Sequence, residues 1–235
     1  MITRAQRILN DPLPPLLIAL TLTTGIIDAV SYLGLGRVFT ANMTGNVVLL
    51  GFAIAGAQGL SVSASLIALA TFLAGAALGG RIARAMKDRP RHRWLLMNAT
   101  IETCLLAAAA ITAIGLHLEA SFTARAPVIA LTAVAMGLRN AAVRRLAIPD
   151  LNATTMTLTL TALAADSFLG GGNNSRAVRR ISAVAAMITG AIIGAALVLH
   201  SGLVLPLAAS AASTISITIA YALHRASRSD ANDAR

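Results

Sequence analysis

Charge is scarce in this sequence. Only 12% of its 235 residues are Asp, Glu, Lys or Arg, about half of the roughly 25% usual in soluble domains. So few charges do not cover a soluble fold of this size. With 57% hydrophobic residues and a mean hydropathy of +0.76, the chain is not intrinsically disordered either. Cysteine is almost missing: Cys104 stands alone, which excludes a disulfide-stapled secreted domain. Enzyme signatures are missing too. There is no His-Glu-x-x-His, no Gly-x-Ser-x-Gly, no P-loop and no dinucleotide fingerprint. The four histidines, His92, His117, His200 and His224, have no ligand spacing. We therefore expect no enzyme, no cofactor and no metal site. An integral membrane protein of helices remains, forming one domain.

What is present is a series of apolar runs separated by basic residues. Eight runs cover 13–35, 43–57, 61–80, 94–118, 126–148, 151–165, 181–199 and 203–223. Six are long enough to cross a bilayer, which takes about 20 residues, whereas the second and sixth are short and read as re-entrant or broken helices. The first run is too long for a signal peptide, contains Asp28 and has no small-residue cleavage site after it. The net charge of +10 lies mostly between the runs, the pattern of topology signals facing anionic lipid rather than of a nucleic-acid surface. Basic clusters occur at Arg4 and Arg7, from Arg81 to Arg93, from Arg176 to Arg180, and at Arg225 and Arg228. All four fall on the cytoplasmic side only if the two short runs dip in and return. The expectation is six crossing helices with cytoplasmic termini, residues 1–12 preceding the membrane domain of 13–224 and a disordered tail of 225–235.

The chain also repeats itself. Gly25-Ile26-Ile27-Asp28-Ala29 aligns with Gly137-Leu138-Arg139-Asn140-Ala141, Met43-Thr44 with Met156-Thr157, and Gly75-x-x-x-Gly79 with Gly190-x-x-x-Gly194, at offsets of 112, 113 and 115 residues. Halves 13–118 and 126–224 would each hold three crossing helices and one short run. An odd number of crossings inverts the second half relative to the first, an architecture of transporters with a midplane site. The glycine pairs suit close helix packing, within the chain or against a second copy as homo-oligomer partner.

Several polar residues sit where hydrocarbon is expected. Asn42, Thr44, Gly45 and Asn46 lie where the chain passes from the first run into the second, and non-helical backbone at such depth lines a cavity or is buried in protein. A half-helix starting near Thr44 presents N–H groups and the positive end of its dipole. Thr155, Thr157 and Thr159 occupy the matching stretch of the second half. Charges inside spans are expensive and mark functional candidates. The candidates here are Asp28, Glu102 and Arg139, with Asn140 beside the last, and Asp166 closes the sixth run. We expect Asp28 and Arg139 to pair across the pseudo-axis, and Glu102 to reach toward Arg91–Arg93. Trp94, Tyr32 and Tyr221 occupy aromatic-belt positions, and Cys104 reads as a small apolar filler.

The first motif, Gly25-x-x-Asp28-Ala29, then Tyr32-Leu33-x-Leu35-Gly36, then Phe39-Thr40-Ala41-Asn42-Met43-Thr44-Gly45-Asn46, resembles the YoaK-like family. So does Gly137-Leu138-Arg139-Asn140-Ala141 with Thr154–Asp166. The resemblance covers roughly residues 13 to 224 and implies a multi-spanning protein of the bacterial inner membrane in a family of unknown function. It brings no substrate and no catalytic residues. The function expected from the residues is a transporter or channel-like permease for a small polar or anionic solute, with the lipid bilayer and that solute as partners. The alternative is a membrane protein for assembly or envelope sensing, which needs no continuous polar pathway.

Overall fold

The computed structural model describes residues 13–115, 122–146, 156–174 and 176–233, and among these every regular element is helical. Eight α-helices follow in chain order: α1 (Leu13–Gly34), α2 (Met43–Ile54), α3 (Val62–Ala85), α4 (Arg91–Gly115), α5 (Phe122–Leu146), α6 (Met156–Ala165), α7 (Ala177–Ser201) and α8 (Val204–Asp233). Six are long and apolar enough to cross a membrane, and α2 and α6 are the short ones. Polar caps set the starts of the helices that follow turns. Asn42 accepts the Gly45 N–H at the head of α2, and Ser61 accepts that of Ala64 at the head of α3. The chain leaves α6 through Ser167, which caps a single 3-10 turn ended by Gly171 at φ 79°. α8 runs on past the last apolar run to Asp233.

Large apolar side chains point outward along the bundle. Ile54 on α2, Leu158 on α6, Ile192 on α7 and Ile111 on α4 are all well exposed, as a hydrocarbon solvent allows. The interior is divided into two clusters. One gathers Leu13, Leu16 and Leu17 with Trp94, Leu95, Ala142, Leu146, Ala183 and Tyr221. It therefore joins the starts of α1, α4 and α7 to the ends of α5 and α8. The other gathers Leu35 and Val38 with Ala64, Leu106, Val128 and Leu207, joining the end of α1 to the starts of α3, α5 and α8. Successive long helices thus alternate in direction, and α1 and α5 run in opposite senses.

Trp94 and Tyr221 belong to the first cluster and are buried rather than facing lipid as belt residues. Trp94 lies under the Arg145 guanidinium, 5.6 Å from the ring centroid. Cys104 is exposed on the outer face of α4 rather than filling the interior.

The helices pair across the two halves. α1 lies mainly against α7, α3 against α5, and α4 against α8. Small residues permit the first two approaches. A methyl group on Gly75 would overlap the Val134 carbonyl, and one on Gly137 would overlap that of Phe72. On the other side, Gly190 meets the Leu22 carbonyl and Gly25 meets that of Met187 in the same way. Gly79 and Gly194 continue these ridges against Leu138 and Ala141, and against Ile26 and Ala29. Each contact on one side recurs on the other, 112 residues along for α1 and α5 and 115 along for α3 and α7.

Candidate functional site

The site begins where α1 stops. After Gly34 the backbone turns through Gly36 at φ 97° and Arg37 at φ 56°, then comes back beside the helix it has left. Its return is fixed by Asp28, whose carboxylate accepts the Ala41 N–H at 3.3 Å and faces the Asn42 N–H. Asp28 lies six residues before the end of α1, about 9 Å along the axis at 1.5 Å per residue. α2 therefore starts at depth. It ends on the side where α1 ended, because Gly59 in the following loop lies against the Arg37 guanidinium.

Phe39 is held from three directions. Asn46 closes a two-bond clasp on it: its Oδ1 accepts the Phe39 N–H at 2.8 Å, and its Nδ2 donates to the Phe39 carbonyl. Tyr32 stacks on the Phe39 ring with centroids 5.0 Å apart. Gly45 leaves room for that ring, since a Cβ there would come within 2.9 Å of it. Asn46 is fully buried by this role. It braces the broken segment from behind and does not line the cavity, contrary to its expected place.

Arg139 forms the second centre. It is 5% exposed, about two turns before the end of α5, and all of its nitrogens are bonded. Nε and Nη2 both donate to Glu102 Oε1 of α4, the Nε bond at 2.9 Å. Nη1 donates to Thr23 Oγ1 at 2.7 Å, to Thr24 Oγ1 at 3.0 Å and to the Leu20 carbonyl at 3.0 Å, all on α1. Nη2 also donates to Thr214 Oγ1 of α8 at 2.9 Å. One guanidinium from α5 thus ties three other crossing helices together. The fixed fork of donors on arginine suits such a junction.

The expected Asp28–Arg139 pair does not form; Glu102 takes that place. Nor does Glu102 reach toward Arg91–Arg93, for it is 4% exposed and committed to Arg139. Thr23, Thr24 and Thr214 were not foreseen. Threonines that bond back to their own helix are common in apolar spans, and nothing in their spacing marks these three. Asp166 follows the end of α6 and accepts Arg180 Nη2 of α7 at 2.6 Å.

Between these two centres lies a cavity of about 620 Å³. Its walls bring together most of the polar candidates: Asp28, Asn42, Thr44 and Gly45 from the first half, and Arg139, Asn140 and Thr157 from the second. Tyr32 and Phe39 line it as well, and leucine, valine and methionine side chains complete it. Asn140 donates to the Met136 carbonyl one turn back. Thr159 is buried away from the cavity, and Thr155 lies outside the described residues. Glu102 stands behind Arg139, on a separate space of about 30 Å³. Gly75, Gly79, Gly190 and Gly194 serve the helix contacts described above and do not line the cavity.

Electrostatically the cavity is one-sided. The charge of Arg139 is cancelled by Glu102 at hydrogen-bond distance. Asp28 is 8% exposed, and among the described residues no basic side chain pairs with it. A buried carboxylate answered only by backbone N–H groups is an unusual feature within a span.

Bundle and cavity together define a multi-pass helical membrane protein with an internal cavity lined in part by polar side chains. The chain belongs to the family described as Protein of unknown function (DUF1275), whose model matches residues 16–220. It is 36% identical over 151 residues to the UPF0700 transmembrane protein YoaK of Bacillus subtilis (strain 168). That match covers 64% of this chain and 65% of the relative, so the chain spans just under two thirds of the relative's length. No solved structure matches the chain.

Proposed function

We propose that the protein is a transporter or channel-like permease for a small polar solute, built from two inverted halves in the bacterial inner membrane with both termini cytoplasmic. The observation that carries this reading is the cavity of about 620 Å³, lined by polar groups from both halves and set beside a non-helical segment inside the bundle. Pockets of this volume are in the range that takes small molecules. Assembly or sensing would need no such space. The inverted arrangement is supported by the recurrence of the glycine contacts and by the opposite senses of α1 and α5. The cytoplasmic side is assigned to the end where α3 gives way to α4, since that loop and its flanks carry Arg81, Arg84, Lys87, Arg89, Arg91 and Arg93. The unpaired Asp28 favours a neutral or cationic solute over the anion that a half-helix start alone would suggest.

The test is cysteine accessibility in a Cys104→Ala background, with single cysteines at Gln58, Met86, Thr44 and Thr157. An impermeant methanethiosulfonate reagent is applied to right-side-out and inverted vesicles. Position 58 should label from outside and position 86 from inside. Positions 44 and 157 should label from at least one side. If position 58 reacts while 44 and 157 stay silent from both sides, no aqueous pathway reaches the cavity and the transport reading fails.

A further inference from the structure

We propose that the cavity binds an organic ammonium ion: a protonated primary or secondary amine carried on a small apolar body. The assignment rests on the cavity being a solute site and names the chemistry of that solute.

Three observations lead there. The first is charge. Of the two ionic groups on the cavity wall, Arg139 is matched by Glu102 and Asp28 has no basic partner among the described residues. An occupant carrying one positive charge completes the balance, whereas an anion would face a carboxylate that has no counter-ion in a medium that screens poorly. The second is the shape of the polar wall. Asp28 uses its carboxylate to accept the backbone N–H groups of the broken segment, and carboxylate oxygens have further lone pairs that accept from an ammonium donor. The Tyr32 and Phe39 rings line the same cavity, stacked on each other, with the Phe39 backbone in the Asn46 clasp. Aromatic rings on the same wall as a carboxylate favour an alkylammonium head over a strongly hydrated metal ion. The third is the remainder of the wall. Leu17, Leu20, Val143 and Met187 give the cavity apolar sides suited to a hydrocarbon body and unsuited to a sugar or an inorganic ion.

The experiment uses the purified full chain in lipid nanodiscs at pH 8. There n-butylamine, like a lysine side chain, remains protonated. The probes are n-butylammonium, n-butanol and butyrate, which share a body and differ in charge. Binding is read by calorimetry and by the shift in unfolding temperature. We expect n-butylammonium to bind and the other two not to. Asp28→Asn keeps an oxygen for the Ala41 N–H, so it should fold while losing about tenfold or more in affinity. Tyr32→Leu should lose a few-fold, roughly three to ten. Equal binding of butanol or butyrate overturns the proposal, as does unchanged affinity in Asp28→Asn. So does the absence of any response to n-butylammonium up to about 50 mM. In that last case, if cysteines at Thr44 and Thr157 still label from the aqueous phase, the ammonium assignment falls and the transport reading stands. If they are sealed, both fall.

Discussion

Glu102 and Asp28 are both carboxylates within crossing helices, and both are almost wholly buried. Glu102 meets a guanidinium that is itself tied to three threonines and a carbonyl. Asp28 meets two backbone N–H groups and a cavity. The first arrangement is complete: every nitrogen of the guanidinium is bonded, and removing either charged member would leave the other without a counter-ion. The second holds a loop in place and still keeps a face for something else. A charge inside a membrane protein is thus judged by what remains once its partners are counted. By that measure Glu102 and Arg139 satisfy each other, and Asp28 is the acid that keeps an open side on the cavity.

The comparison is broken most sharply by removing Glu102. Glu102→Leu strands the arginine and should cost about 3–5 kcal/mol, seen as loss of folded yield and a lowered unfolding temperature in detergent. The double variant Glu102→Leu with Arg139→Met should recover most of that loss. A stable single variant would show that the pair is not a clamp. Next in size is Asn46→Ala, which releases both ends of Phe39 and should cost about 1–3 kcal/mol. Proteolysis or hydrogen exchange should show the loosening confined to residues 35–46. Thr214→Val removes one bond to the guanidinium and leaves its other partners, so about 1 kcal/mol is expected by thermal unfolding. Asp28→Asn should be smallest, within about 1 kcal/mol of the parent, because an amide oxygen still accepts the Ala41 N–H. A large destabilisation in Asp28→Asn would place both acids in the same structural role and erase the distinction.

Much of this organisation was legible in the amino-acid order. Apolar runs and their lengths separate the six long helices from α2 and α6, because hydrocarbon thickness sets the number of residues a crossing needs. The glycine spacing points to the close helix contacts, since only a missing side chain lets two backbones meet. The partner of Arg139 was not legible, although the repeat holds a hint. At an offset of 112 residues Asp28 corresponds to Asn140, and Ile27 corresponds to Arg139. Neighbours on a helix point about 100° apart, so Arg139 leaves its helix on a different face from the counterpart of Asp28. Which of the surrounding helices that face meets depends on tertiary packing. Asn46 misled for a related reason. Composition shows that polar groups are collected at the break, but not which of them are consumed in bracing it.

The interleaving of the two halves has a consequence for how the protein is made. Each glycine ridge closes on a helix of the opposite half, and Glu102 precedes its arginine by 37 residues. A ribosome working from the N-terminus therefore hands the membrane a complete first half whose tightest surfaces have nothing to close on. Its acidic side chain has no counter-ion until α5 emerges. A chain stopped after α4 would hold an orphan carboxylate and two unfilled grooves. The native fold is in this sense a late event, withheld until the second half arrives to complete the first.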